Sequence, residues 1–232
     1  MKTLFDTIEG FVGLFLPNVC VCCSTGLLRG EEFICSHCFY KLPATNFHQE
    51  QDNPVAQIFW GRASVENATA CYFFRKENRI QKLVYQLKYK GQKEIGIMLG
   101  REMGKSLVGG KFSEIDIIAP VPIHLQKLRK RGYNQSEWIA RGVAEAINKP
   151  IDSQTLVRRF YTDSQTRKKR FDRWENVDSG FAITNPDAFA GRHILLIDDV
   201  ITTGATLEAC IHATLTAPDT KVSVASLSFA SS

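Results

Sequence analysis

Apolar positions along the chain switch between two periods. Ile194-Leu195-Leu196-Ile197 is an unbroken aliphatic run, the pattern of a strand buried on both faces as in a parallel α/β sheet. Ile115 to Ala119 reads the same way, while Ala68 to Phe74 and the alternating Lys221 to Phe229 read as further strands. Thr155 to Phe160 and Gly180 to Ile183 are strand candidates on either side of a long polar segment. Between strands the spacing becomes helical. Ile80, Leu83, Val84 and Leu87 share one face of a helix over Asn78 to Tyr89, with Lys88 and Lys90 suited to its C-terminus and Gly91 to its stop. A second helix runs from Lys93 to Val108 and ends at Gly109-Gly110. A third is capped by Asn134 or Ser136, has Glu137 in its first turn and reaches about Ile147. A fourth covers Ala205 to Thr214. The class is α/β, a mostly parallel sheet flanked by helices.

The first residues are patterned differently. Leu4, Ile8, Phe11 or Val12, and Phe15 fall on one helical face, but Asp6, Glu9 and Gly13 interrupt the apolar run and no A-x-A site follows. Met1 to Leu16 therefore reads as a short amphipathic helix packed on the body. No stretch is long enough to span a membrane, so a cytoplasmic protein is expected. Phe47 to Glu66 combines polar clusters, Pro54 and isolated apolar residues, and reads as a linker with some packing by Ile58, Phe59 and Trp60.

Composition changes this picture little. The 232 residues suffice for one substantial core plus a small module, and 44% hydrophobic with 23% charged residues is ordinary for a globular chain. A net charge of +5 favours anions without choosing between nucleotides and nucleic acid.

Cysteine changes it more. Five of the seven cysteines lie between Cys20 and Cys38, and Cys20/Cys23 with Cys35/Cys38 form two C-x-x-C knuckles. Four thiolates so paired suit tetrahedral zinc in a closed, structural site. The segment is too short for a core of its own, so metal would supply its stability. Cys22 or His37 could replace a neighbour as ligand. Cys71 and Cys210 stand alone in apolar surroundings and read as core.

The chemistry concentrates after the aliphatic run. Asp198 and Asp199 follow at the carboxyl end of a sheet strand, where open α/β sheets bind ligands. Thr202, Thr203, Gly204, Ala205 and Thr206 then form a small-residue turn leading into a helix, offering hydroxyls, N–H groups and a positive helix end to a phosphate. The two acids suit sugar hydroxyls and a divalent cation. Phosphate beside a diol describes a ribose 5-phosphate.

Two basic segments flank this block. Lys127-Leu128-Arg129-Lys130-Arg131-Gly132 forms a dense basic loop after the strand ending at Ala119, and reads either as a solvated surface or as a second anion site. Tyr161 to Asp178 carries Arg167, Lys168, Lys169, Arg170, Arg173 and Trp174. Such a loop could close over a phosphorylated substrate, or stack bases and contact phosphates of single-stranded nucleic acid.

The block from Ile194 to Thr206 resembles the PRPP-binding signature of the type I phosphoribosyltransferases. Together with the cysteine knuckles, Lys88-Tyr89-Lys90-Gly91, Pro120-Val121-Pro122, Arg131-Gly132-Tyr133-Asn134-Gln135, Gln165-Thr166, Arg170 and Asn176, it resembles the ComF family of competence-associated proteins over nearly the whole chain. That resemblance implies an N-terminal helix and four-cysteine zinc finger (1–50), a linker (51–67) and a type I phosphoribosyltransferase-like domain (68–232). Asp198 and Asp199 would hold the ribose hydroxyls with Mg2+, residues 202–206 the 5-phosphate, and Arg131, Gly132, Lys88 and Lys90 would complete PRPP binding. Arg129, Lys130 and the 167–174 cations with Trp174 would meet single-stranded DNA during natural transformation, alongside a competence helicase. An active transferase on an unknown acceptor and a PRPP-sensing regulator are the alternatives.

Overall fold

The computed structural model of the chain describes residues 18–159 and 180–230. The amphipathic helix read at Met1 to Leu16 and the basic segment holding Arg167, Lys168, Lys169, Arg170, Arg173 and Trp174 lie outside the described residues.

Four parallel strands form the centre: β1 (Ala68–Phe73), β2 (Ile117–Pro120), β5 (His193–Ile201) and β6 (Lys221–Phe229), in the order β1-β6-β5-β2. β3 (Leu156–Arg158) and β4 (Phe181–Ile183) pair antiparallel as a separate ribbon. The aliphatic run lies at the middle of the sheet and divides its side chains between two layers. Leu195 and Ile197 join one buried cluster, Ile194 and Leu196 the other. That alternation is why no polar position interrupts the run.

On the first face lie α3 (Arg79–Tyr89), α4 (Glu94–Leu107) and α6 (Gln135–Ile147). Ile80, Leu83, Val84 and Leu87 of α3 are buried there at the spacing the sequence shows. Asn78 starts α3 by accepting from Gln81 N (2.9 Å) and donating to Phe73 O (2.8 Å), which ties the helix to the end of β1. Asn134 does the same for α6, accepting from Ser136 N (3.2 Å) and donating to Val121 O (3.0 Å) just after β2. Of the two caps the sequence offers, Asn134 is the one used.

The cysteine segment, with its short helix α1 (Ser36–Tyr40), packs on this same face. Cys20, Cys22, Ile34, Cys35, Cys38 and Leu42 share a buried cluster with the apolar face of α3. The opposite face carries α2 (Pro54–Phe59), the β3–β4 ribbon and α7 (Ala205–Thr214).

Two stretches differ from the sequence reading. Residues read as linker contain α2, capped by the Asn53 side chain, with Val55 and Phe59 fully buried. The dense basic loop is mostly a helix, α5 (Leu125–Arg131), started by the His124 side chain and stopped by Gly132 at φ +81°. α5 buries none of its residues, so it leaves no apolar period to read. No helix among the described residues is long and apolar enough to cross a membrane.

Candidate functional site

β5 extends through Ile201, so Asp198 and Asp199 are the sixth and seventh of its nine residues rather than lying beyond its end. β6 continues alongside, with Ser226 opposite Asp198. β2 stops sooner, its Pro120 opposite Ile197. The acids therefore emerge past one neighbour's end, where α6 begins. Ser136 Oγ, in the first turn of α6, donates to Asp198 Oδ1 at 3.1 Å, and Asp199 N donates to the same oxygen at 2.8 Å. Lys88 Nζ, from the last turn of α3, lies 2.8 Å from Asp199 Oδ2, with both side chains less than a fifth exposed. Burial, and then the neighbouring Asp199 charge, push the Asp198 carboxyl up to about 7, against the pull of its hydrogen bonds and of Lys88.

After the acids, Thr202, Thr203, Gly204, Ala205, Thr206 and Leu207 line an open cavity that also includes Asp198. Thr202, Thr203, Ala205 and Thr206 are exposed. Gly204 stands at the N-cap of α7 with φ +76° and offers no side chain to the first-turn N–H groups. A Cβ on Gly204 would lie 2.4 Å from Ile58 Cγ2, so α2 closes against the turn. Arg62 braces the same turn, donating to Thr203 O at 3.0 Å and Ile58 O at 3.2 Å and pairing with Glu208. Arg62 and Glu208 carry no signal in the sequence reading, which gives Ile58 only as packing in a linker and Ser136 only as a helix cap. The one signal for α2 was Asn53 followed by Pro54, a cap and N1 pair.

The Lys88–Lys90 stretch and the Arg131–Gly132 stretch, both of which the family resemblance assigns to PRPP binding, lie against each other. Tyr133 OH donates to Leu87 O, and the Arg131 guanidinium lies 5.2 Å over the Tyr89 ring while donating to Gln135 Oε1 at 2.6 Å. Lys88 alone of these cations contacts the acid pair; Lys90, Arg129 and Lys130 are exposed.

The sulfurs of Cys20, Cys23, Cys35 and Cys38 all lie within 4.8 Å of one another. Sulfurs about 3.8 Å apart are what a tetrahedral zinc with 2.3 Å bonds requires, and Cys23 and Cys35 stand 3.7 Å apart. The donor set fits a single four-coordinate ion. Cys22 is not part of it: its thiol faces Arg79 O at 3.7 Å, and burial pushes it up to about 12. His37 is outside the cluster too. Hydrogen bonding to Thr25 draws the Cys23 thiol down to about 6.

No protein-family model matches the chain. It is 31% identical over 129 residues to the DNA utilization protein YhgH of Salmonella typhi, 54% of this chain and 56% of that one. The chain thus spans little more than half the length of that relative. YhgH of Escherichia coli K12 aligns over 210 residues at 25% identity, covering 84% of this chain and 89% of that one. Competence protein F of Haemophilus influenzae matches over 93 residues at 31%, 40% of this chain and 41% of that one. Among solved structures, the glutamine phosphoribosylpyrophosphate amidotransferase of B. subtilis overlaps 60% of this chain and 26% of its own, at 21% identity and a TM-score of 0.41. The chain is a relative of the DNA utilization and competence F proteins, in agreement with the resemblance of its motifs to the ComF family.

Proposed function

We propose that the chain is a cytoplasmic, zinc-stabilised PRPP-binding protein that acts in the uptake or use of single-stranded DNA. The observation that carries the pocket half of this reading is the exposed 202–206 turn at the N-terminus of α7, directly following the acid pair of β5. Thr202, Thr203 and Thr206 hydroxyls and the free N–H groups of the turn would hold the 5-phosphate. Asp198 and Asp199 would accept from the ribose hydroxyls, and Lys88 would pass from Asp199 to the pyrophosphate, with Arg131, Gly132 and Lys90 on the same side. Asp198 and Asp199 would also hold Mg2+, which would supply neutralisation of the pyrophosphate charge. With these groups fixed in place, any transfer reaction would draw on positioning and electrostatic stabilisation rather than a covalent nucleophile. Cys20, Cys23, Cys35 and Cys38 would hold zinc. The DNA half rests on the names of the relatives and on the exposed cations of α5.

Calorimetric titration of the zinc-loaded protein with PRPP and Mg2+ tests the pocket. Binding by the wild type that Asp198→Asn/Asp199→Asn loses is expected, and pyrophosphate release on adding acceptors would establish turnover. A folded wild type that does not bind PRPP would sink this half of the reading.

A further inference from the structure

Two tyrosines lie outside the core and do not line the cavity. α3 turns Tyr85 and Tyr89 outward, 49% and 55% exposed, with ring centroids 5.2 Å apart. The i, i+4 spacing makes them neighbours on the helix surface. Polar residues there would satisfy α3 equally well, because its buried face is complete without them. Arg131 extends the pair, its guanidinium 5.2 Å over the Tyr89 ring. The two tyrosine rings are tilted by 45° to each other. Next in sequence to Tyr89 and Arg131, Lys90 and the α5 residues Arg129 and Lys130 are exposed.

We propose that Tyr85, Tyr89 and Arg131 form a stacking platform for the bases of a single-stranded nucleic acid, with Lys90, Arg129 and Lys130 drawing in its phosphates. Flat π faces flanked by cations bind bases without regard to sequence, and a duplex would keep its base faces hidden. A free nucleobase or other small acceptor fits this surface less well. Pockets for such ligands enclose most of the ligand, whereas these rings lie half exposed on the outer face of a helix. Lys88, one residue before Tyr89, pairs with Asp199, so the platform starts one residue from a contact to the acids. The choice of nucleic acid as ligand rests on the DNA-uptake reading above.

The test uses the zinc-loaded full chain and a single-stranded oligonucleotide carrying 2-aminopurine, whose fluorescence is quenched when it stacks. Wild type and Tyr85→Phe/Tyr89→Phe should bind and quench alike. Tyr85→Leu/Tyr89→Leu should lose quenching and bind about tenfold to a hundredfold more weakly, as loss of one or two stacked bases predicts. Its salt dependence should be unchanged because the phosphate contacts remain. A leucine variant that binds and quenches like wild type overturns the platform, as does quenching by the free riboside but not by the strand. A wild type that binds no strand at all would remove the DNA reading itself, while strand binding independent of the rings would remove only this surface.

Discussion

Lys88 Nζ stands 2.8 Å from Asp199 Oδ2, so the last turn of α3 neutralises the acid of β5 that follows Asp198, which lines the cavity. Helix and strand are joined at the place where a diol and a cation would bind. A ligand that engages Asp199 must share it with Lys88 or displace it. Lys88→Met should therefore have opposite effects on two ligands. Mn2+ alone, followed by its paramagnetic resonance signal, should bind more tightly because the acid pair is no longer neutralised. PRPP should bind about tenfold or more weakly, having lost a cation worth over 1.4 kcal/mol. Stability should fall by about 2–3 kcal/mol, the order expected when a mostly buried acid loses its partner. Equal Mn2+ affinity in both proteins would contradict a guarding role for Lys88.

Asp198 makes stability depend on pH in an unusual direction. Burial and Asp199 raise its carboxyl from 3.8 to about 7. The folded chain then holds the proton more firmly than the unfolded chain does. This contribution is complete below about pH 4 and is lost as the pH rises through 7. Asp198→Asn keeps an oxygen for Ser136 Oγ and Asp199 N while removing the charge. It should melt about 4–8 °C above wild type at pH 8, corresponding to about 2 kcal/mol, with the gap closing towards pH 5. PRPP affinity of the wild type should weaken as the pH falls below 7. A melting difference that stays constant from pH 5 to pH 8 would mean Asp198 is ionised throughout.

How much of this was legible depended on whether a residue's role is local. Ile194 to Ile197 announced a doubly buried strand because four consecutive aliphatic positions suit little else, and both faces of β5 are indeed covered. The start of α3 was legible from the apolar period beginning after Asn78, and that of α6 to within two residues as Asn134 or Ser136, since a cap acts within three residues. The cysteine cluster was legible from spacing, and the structure gathers those four sulfurs while leaving Cys22 aside. α5 was hidden because a helix that buries nothing has no apolar stripe. α2, six residues long, is too short to show a period. Ser136 with Asp198, Lys88 with Asp199 and Arg62 with Thr203 join residues far apart in the chain, through packing that no local pattern encodes.

The four-sulfur geometry decides between Cys22 and Cys23 in a measurable way. Cys22→Ala should retain one zinc per chain by elemental analysis, because its sulfur faces Arg79 O instead of the cluster. Cys23→Ala should lose zinc or bind it far more weakly. Cys20, Cys35 and Cys38 share a buried cluster with α3, so chelating the metal should also lower the melting temperature of the whole chain rather than only fray its start. Loss of zinc from Cys22→Ala with retention by Cys23→Ala would reverse the assignment.

α4 and α6 approach so closely that their glycines act as contact surfaces. A Cβ on Gly100 would lie 2.1 Å from Ile139 O, and one on Gly142 would lie 2.1 Å from Ile97 O. Both obstacles are backbone carbonyls, which cannot rotate away as a side chain would. In an exposed helix, Gly→Ala gains about 1 kcal/mol. Here Gly100→Ala and Gly142→Ala should each cost about 2–3 kcal/mol through forced separation of the helices, read as a lower urea midpoint at unchanged slope. Gly110→Ala, where a Cβ meets nothing within 4 Å, is the control and should be neutral. Gly142→Ala should also weaken PRPP binding, because α6 carries Ser136 to Asp198 and a displaced helix withdraws that hydroxyl. Normal stability in both variants would mean the helices lie farther apart than these carbonyl distances require.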